Sequence, residues 1–155
     1  MRELIKLTIL DTEQCPAGSK KMITTRLKTG AMKTIVIEDN DSTRTWKKIV
    51  KGIGLAMWGC RDLVTSPLFV HALFQRKRPA GHYGTGRNEN KVNKSARRFP
   101  TVMPDVLKLM RGTEDALTGV IWKDDAQICD EFIRKRYGPT WKTEILIAEL
   151  EEEDL

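Results

Sequence analysis

Two short acidic segments and one long basic segment are the parts of this sequence with the chemistry to act on another molecule. Pro104-Asp105 opens a helical stretch that carries Arg111, Glu114 and Asp115, and Asp124-Asp125 stands at the start of a strand-like stretch. Magnesium is a hard cation that takes one or two protein carboxylates and fills its remaining positions with water and phosphate oxygens. A metal held that way activates water and stabilises charge developing on phosphate. The basic segment runs from Arg76 to Arg98. Its eight cations (Arg76, Lys77, Arg78, Arg87, Lys91, Lys94, Arg97 and Arg98) stand against one acid, Glu89, for a net charge of +7. Such residues neutralise phosphates and release counterions. Carboxylates beside a basic loop are what a metal-dependent nuclease requires. By residue type alone the signal is ordinary, because adjacent acids at a turn are usually solvated, and an Asp at a helix start usually serves the dipole or the cap.

The elements that must position these groups follow from periodicity. Leu4 to Leu10 alternates as a strand, Cys15 to Ser19 reads as a loop, and Met22–Leu27 and Met32–Ile37 are strand-like. Two or three antiparallel strands are the economical reading of this half. Asp39-Asn40-Asp41-Ser42 is rich in capping residues and predicts a helix to about Cys60. In that helix Trp46, Ile49, Val50, Ile53 and Met57 recur at helical spacing, while Gly52 and Gly54 weaken it. Trp46 and Trp58 are expected in the core, and the surface around Trp46 and Met57 is the candidate dimer interface. Pro67 to Gln75 suits a mostly buried strand, with His71 as a satisfied core residue. From Arg76 to Thr101 no period is visible, and a structureless stretch of about 25 residues is usually functional or disordered. A mobile, nucleic-acid-binding loop is expected here, with His82 and Tyr83 supplying rings that stack on an unpaired base. Pro104 to Leu117 predicts a helix with proline in its first turn. Ala126–Tyr137 and Glu144–Leu150 predict two further strands, and residues 151–155 an acidic tail.

One string is far more specific than these patterns. Pro104-Asp105-Val106-Leu107-Lys108-Leu109, then Asp115-Ala116-Leu117-Thr118-Gly119-Val120-Ile121-Trp122-Lys123-Asp124-Asp125-Ala126-Gln127-Ile128, resembles the signature of the RusA-like Holliday-junction resolvases, the crossover junction endodeoxyribonucleases common in phages and prophages. That pattern runs Lys-Pro-Asp-x-Asp-(Asn/Lys)-Leu, then Asp-Ala-Leu-(Thr/Asn), then Asp-Asp-(Ala/Ser)-Gln-(Val/Ile). Arg78 to Asn88 looks like the basic loop of phage-type members, and Pro16 to Lys21 resembles their N-terminal loop. The resemblance implies a small α/β (α+β) fold, a mixed sheet with helices packed on one side, in a single domain over residues 1–150 that works as a homodimer. It implies a magnesium-dependent endonuclease, manganese also serving, that resolves four-way DNA junctions by paired symmetric cuts. Carried over, the metal ligands are Asp105, Asp124 and Asp125, and the catalytic residues are Asp105, Asp125 and Arg111, the last facing the scissile phosphate.

Leu107 departs from the pattern, which has an aspartate there. Glu114 and Asp115 lie about 13.5 and 15 Å beyond Asp105 along an ideal helix, so neither is expected on the same ion. Reduced cleavage with retained junction binding is the expectation for this chain.

Composition sets the remaining bounds. In 155 residues, 40% hydrophobic and 31% charged residues exclude a wholly disordered chain and a membrane-embedded one. The net charge is +6, so outside Arg76–Arg98 the chain sums to −1, and the basicity is a patch. Cys15, Cys60 and Cys129 show no CxxC spacing and are expected to be small buried hydrophobes, with Cys15 alternatively a loop thiol. A cytoplasmic protein with no small-molecule cofactor and no membrane partner is the expectation. A generic nucleic-acid binder would explain the basic loop but not the Asp-Ala-Leu-Thr-Gly to Asp-Asp-Ala-Gln string.

Overall fold

Alternation along Leu68–Lys77 (strand β4) builds the centre of the molecule. Leu68, Val70, Ala72 and Phe74 are fully buried on one face, and the residues between them are only half-covered. The computed structural model describes residues 1–18, 20–26, 28–38 and 40–151. Ser19, Leu27, Asp39 and the acidic end from Glu152 to Leu155 lie outside the described residues. In chain order the elements are β1 (Arg2–Leu10), β2 (Lys20–Arg26), β3 (Met32–Glu38), α1 (Asp41–Trp58), β4, α2 (Val106–Leu117), β5 (Ile128–Gly138) and β6 (Lys142–Glu149). The main sheet has the order β1-β6-β4-β5, with β4 and β5 parallel and the other pairs antiparallel. A parallel pair needs a crossover, and α2 lies on the crossover between β4 and β5. The β2–β3 hairpin forms a separate two-stranded sheet. The protein is therefore a single-domain mixed α+β fold.

Both helices cover the same sheet face. Trp46, Val50 and Trp58 of α1 and Leu109, Met110, Ala116 and Leu117 of α2 join Leu7, Ile9, Ile145 and Ile147 in one core. Burying a large apolar side chain contributes about 1.5–3 kcal/mol. Val120, Ile121 and Trp122, which follow α2, are buried too, and the Trp122 indole donates to Thr118 Oγ1 at 3.0 Å.

Several expectations change. β1 pairs with β6 at the far end of the chain, because strand pattern specifies a face and not a partner. Along α1 the buried line is Thr43, Trp46, Val50, Gly54 and Trp58, so Met57 points to solvent and Trp46, 1% exposed, is too deep to form an interface. Gly54 is a close approach: a Cβ there would stand 2.8 Å from Leu117 Cδ2 and 3.2 Å from Val120 Cγ1. The α2 helix starts one residue after Asp105 and not at Pro104. Asp105 is extended (ψ 142) and takes the N-cap position, while Lys135 Nζ holds the preceding carbonyls of Val102 and Pro104 at 2.9 and 2.7 Å. Asp125–Gln127 is a 3-10 turn, so β5 begins at Ile128. His71 lies on the helix-free face of the sheet, 5.3 Å from the Phe132 ring, and its Nε2 has no partner among the described residues. Burial, then the charge of Arg134, lowers its pKa. Cys60 and Cys129 are exposed and Cys15 is half-buried, its thiol pKa raised chiefly by burial.

Candidate nuclease site

The site is built where α2 meets the loop before β2. Lys108, Arg111 and Asp115 recur at i, i+3 and i+7 and so share one face of α2. Together with Pro16, Ala17, Gly18, Met103 and Asp125 they line a cleft of about 720 Å³. The loop is pinned against both helices: Ala17 N donates to Lys108 O at 2.8 Å, and Thr43 Oγ1 donates to Pro16 O at 2.9 Å. Gly112 permits this approach, since a Cβ there would meet Ala17 N at 3.3 Å and Cys15 O at 3.5 Å.

The structure brings Asp125 and Arg111 to this one cleft, whose lining does not include Asp105. The Asp105 carboxylate makes no capping hydrogen bond and instead pairs with Lys108 Nζ at 3.4 Å. It stands at the N-terminal, positive end of the α2 dipole. Asp105 also lines a second groove of about 620 Å³ with Met103, Leu107, Lys135 and Arg136, and Met103 is common to both. Leu107 is 68% exposed in that groove, an apolar side chain facing solvent where a ligand is expected. Asp124 does different work. Its carboxylate accepts from Ala126 N at 2.9 Å, and Gln127 Oε1 accepts from Asp124 N at 2.9 Å, a capping box that sets the turn carrying Asp125. Gln127 Nε2 ties that turn to Val64 O and Ser66 O at 2.9 and 3.1 Å.

Two further acids stand near Asp125: Glu114, set aside in the sequence as too far from Asp105, and Glu131, which the sequence did not single out. Glu114 and Glu131 line a pocket of about 450 Å³ together with Asp125. The Glu114 pKa is pushed up to about 8, first by burial, then by a hydrogen bond to Glu131, then by the charges of Glu131, Asp125 and Asp115. A carboxyl perturbed this way in a cleft is a functional-site signal. No motif announces it, because Glu131 reaches Glu114 only through the packing of β5 on α2. Asp115, set aside as too far from Asp105, lines the cleft with Asp125 and pairs with Lys47 of α1 at 2.8 Å.

Among the described residues no three His, Cys, Asp or Glu side chains form a group able to hold a metal ion. A magnesium ion at this site would therefore rest on one or two carboxylates together with substrate phosphate, and not on a protein cage.

The proton on Glu114 has a stability consequence. Its folded pKa lies above its unfolded value, so its stabilising contribution is full below about pH 4.5 and fades as pH rises through about 8. The melting temperature of the metal-free protein is expected to fall between pH 5 and pH 8.5, and Glu114→Gln is expected to flatten that fall. Parallel melting curves for the two proteins across this range would contradict the assignment.

The basic segment is divided by the structure. Arg76 and Lys77 belong to β4 and not to a loop. Arg76 continues the buried face of the strand, stacks 4.8 Å from the Trp141 ring and pairs with Glu13 at 3.5 Å. Arg78 lies 4.7 Å over Tyr137 and donates to Arg97 O at 2.9 Å, and the His82 ring meets Tyr137 edge-on at 5.3 Å. Short 3-10 turns at Ala80–His82 and Gly86–Asn88 and a bridge between Tyr83 and Val92 fold the segment back on itself. Asn93 Nδ2 donates to the half-buried Tyr83 at its carbonyl oxygen, 2.9 Å away. Lys77, Arg87, Lys91, Lys94, Arg97 and Arg98 are exposed. Among the described residues no helix is long and apolar enough to cross a membrane.

A curated relative, the uncharacterised protein YqaN of Bacillus subtilis (strain 168), is 31% identical over 88 residues, which are 57% of this chain and 61% of that protein's length. The family described as endodeoxyribonuclease RusA matches residues 16–148, a span from the pinned Pro16 loop to the last sheet strand that contains every site residue above. The chain belongs to the RusA endodeoxyribonuclease family.

Proposed function

We infer that this chain binds four-way DNA junctions and cuts them by magnesium-dependent phosphodiester hydrolysis, manganese being a substitute. The observation that carries the reading is the single cleft that joins Asp125 to Arg111 and Lys108, with the basic segment leading to its rim at Met103. Asp105 and Asp125 would hold the ion, and Asp124 would orient Asp125 through its cap. Bound there, magnesium supplies an activated water and stabilises the charge of the transition state. Arg111 and Lys108 bind and orient the scissile phosphate as charge-assisted donors. Two opposing cuts need two such sites, which a closed two-fold homodimer provides. The setting is cytoplasmic DNA recombination and repair of the phage type.

A second reading rests on Leu107. Its exposed apolar side chain removes one carboxylate, which weakens ion binding and also removes a negative charge from the face that meets DNA. On this reading the protein holds junctions more effectively than it cuts them. One experiment separates the two: labelled four-way junction and linear duplex, incubated with magnesium, manganese or a chelator. Metal-dependent paired nicks support the nuclease, a junction-selective shift without nicks supports the holder, and equal binding to linear duplex rejects both.

The basic segment contributes affinity on either reading. Neutralising the exposed Arg87, Lys91, Lys94 and Arg98 to Gln is expected to lower the slope of log affinity against log salt by about 3. Arg76 is unsuitable for this test because its loss would disturb packing on Trp141. An unchanged salt slope, measured by titrating junction at several ionic strengths, would count against a DNA role for the segment.

A further inference from the structure

The β2–β3 hairpin carries a second concentration of positive charge. From Lys20 to Glu38 the hairpin has five cations (Lys20, Lys21, Arg26, Lys28 and Lys33) against one acid, Glu38. With the basic segment, 13 of the 27 Lys and Arg but only two of the 21 acids lie in these two stretches, so everything else sums to −5. The net positive charge of this protein therefore comes from two stretches.

At its described side chains the hairpin is open on both faces. Its register puts Lys21, Ile23, Thr25, Lys33 and Ile35 on one side and Met22, Thr24, Arg26, Met32 and Thr34 on the other. All of these are exposed, Met22 by 75% and Met32 by 65%. Thr24 and Thr34 share a hydrogen bond across the strands at 3.0 Å, and Arg26 donates to Gly30 O at 3.4 Å. A two-stranded ribbon is marginal in isolation, and the described side chains of this one face solvent. Its place in the fold supplies the partner. Pro16, Ala17 and Gly18 line the cleft of Asp125 and Arg111 and lead directly into β2, while Met103, which follows the basic segment, lines the same cleft. Both basic stretches thus adjoin the same cleft.

We propose that the β2–β3 hairpin is a second DNA-contacting arm that holds the phosphate backbone of a duplex arm of the branched substrate. This rests on the function proposed above. Strands about 4.8 Å apart make a ribbon of the size that the roughly 12 Å major groove admits, with Lys21, Arg26, Lys28 and Lys33 reaching the flanking phosphates.

The test replaces Lys21, Arg26, Lys28 and Lys33 together by Gln in the full chain and measures junction affinity at several salt concentrations. The expected result is an affinity loss of at least about tenfold and a salt slope lower by about 3. A charge-preserving variant (Lys21→Arg, Arg26→Lys, Lys28→Arg, Lys33→Arg) is expected to bind like wild type, and unchanged melting curves would show that the fold is intact. If wild type binds junction and the Gln variant binds equally, with the same slope, the arm is overturned while the parent function stands. If wild type binds neither junction nor duplex, the parent function falls and the arm with it. Wild-type binding to vesicles of phosphatidylglycerol and phosphatidylcholine that the Gln variant loses, with DNA affinity unchanged, overturns the arm in favour of a membrane surface.

Discussion

Leu107→Asp is expected to raise junction cleavage in magnesium by about 100-fold. The residue is 68% exposed beside Asp105 in a groove that Lys135 and Arg136 also line, so a carboxylate there meets solvent and two cations and is not buried. Folding should change little, because Leu107 contributes to no core cluster. The gain follows from adding an acid where no three acids now converge. A metal contributes several kcal/mol of transition-state stabilisation, and about 2.7 kcal/mol recovered by better metal binding corresponds to about 100-fold in rate. Binding to junction in chelator is expected to weaken slightly, since the new charge repels phosphate. Single-turnover cleavage of a labelled junction across a magnesium titration checks both effects. A wild type that already cuts fast, with no gain from the aspartate, would remove Leu107 from the account.

Asp125→Asn is expected to lower cleavage by at least about 100-fold while leaving junction binding equal or tighter. Asp125 shares its cleft with Arg111 and Lys108. The amide is isosteric, and the cap that sets its turn uses Asp124 and Gln127, not the Asp125 side chain. Losing a metal ligand takes away several kcal/mol of charge stabilisation, whereas losing a negative charge next to bound phosphate favours DNA. The same substitution removes one of the charges that raise the Glu114 pKa. The pH at which the metal-free protein loses the Glu114 contribution should therefore move down. Cleavage and melting measured on one preparation read the two effects independently. Equal cleavage by the variant would assign the chemistry to other groups.

Much of this site was legible because its motif is local. Asp105, Arg111, Asp124 and Asp125 lie within 21 consecutive residues, and the capping of one turn and the face of one helix follow from their spacing. Arg76 shows where local reading ends. As the first residue of a cationic run it was assigned to a loop, but the alternation of β4 carries on through it, and the buried face of the strand places its guanidinium against Trp141. His71 shows the converse. An apolar neighbourhood suggested the core, but its position in the period-2 pattern puts it on the side no helix covers. Gly54 was read as a weakness in α1, yet it is the point at which α1 comes closest to Leu117 and Val120.

The sequence by itself determined the helices and strands, the family motif, the missing carboxylate at Leu107 and the concentration of charge between Arg76 and Arg98. These depend on residue type, on periods of 2 and 3.6, and on spacing within short stretches. The tertiary structure alone decided that β1 pairs with β6, that the Pro16 loop closes the cleft against Gly112, and that burial and a hydrogen bond to Glu131 raise the Glu114 pKa beside Asp125. Each joins residues distant in sequence through the burial of one sheet face under two helices. Burial of that kind depends on which surfaces exclude water from each other, and that is a property of the assembled chain.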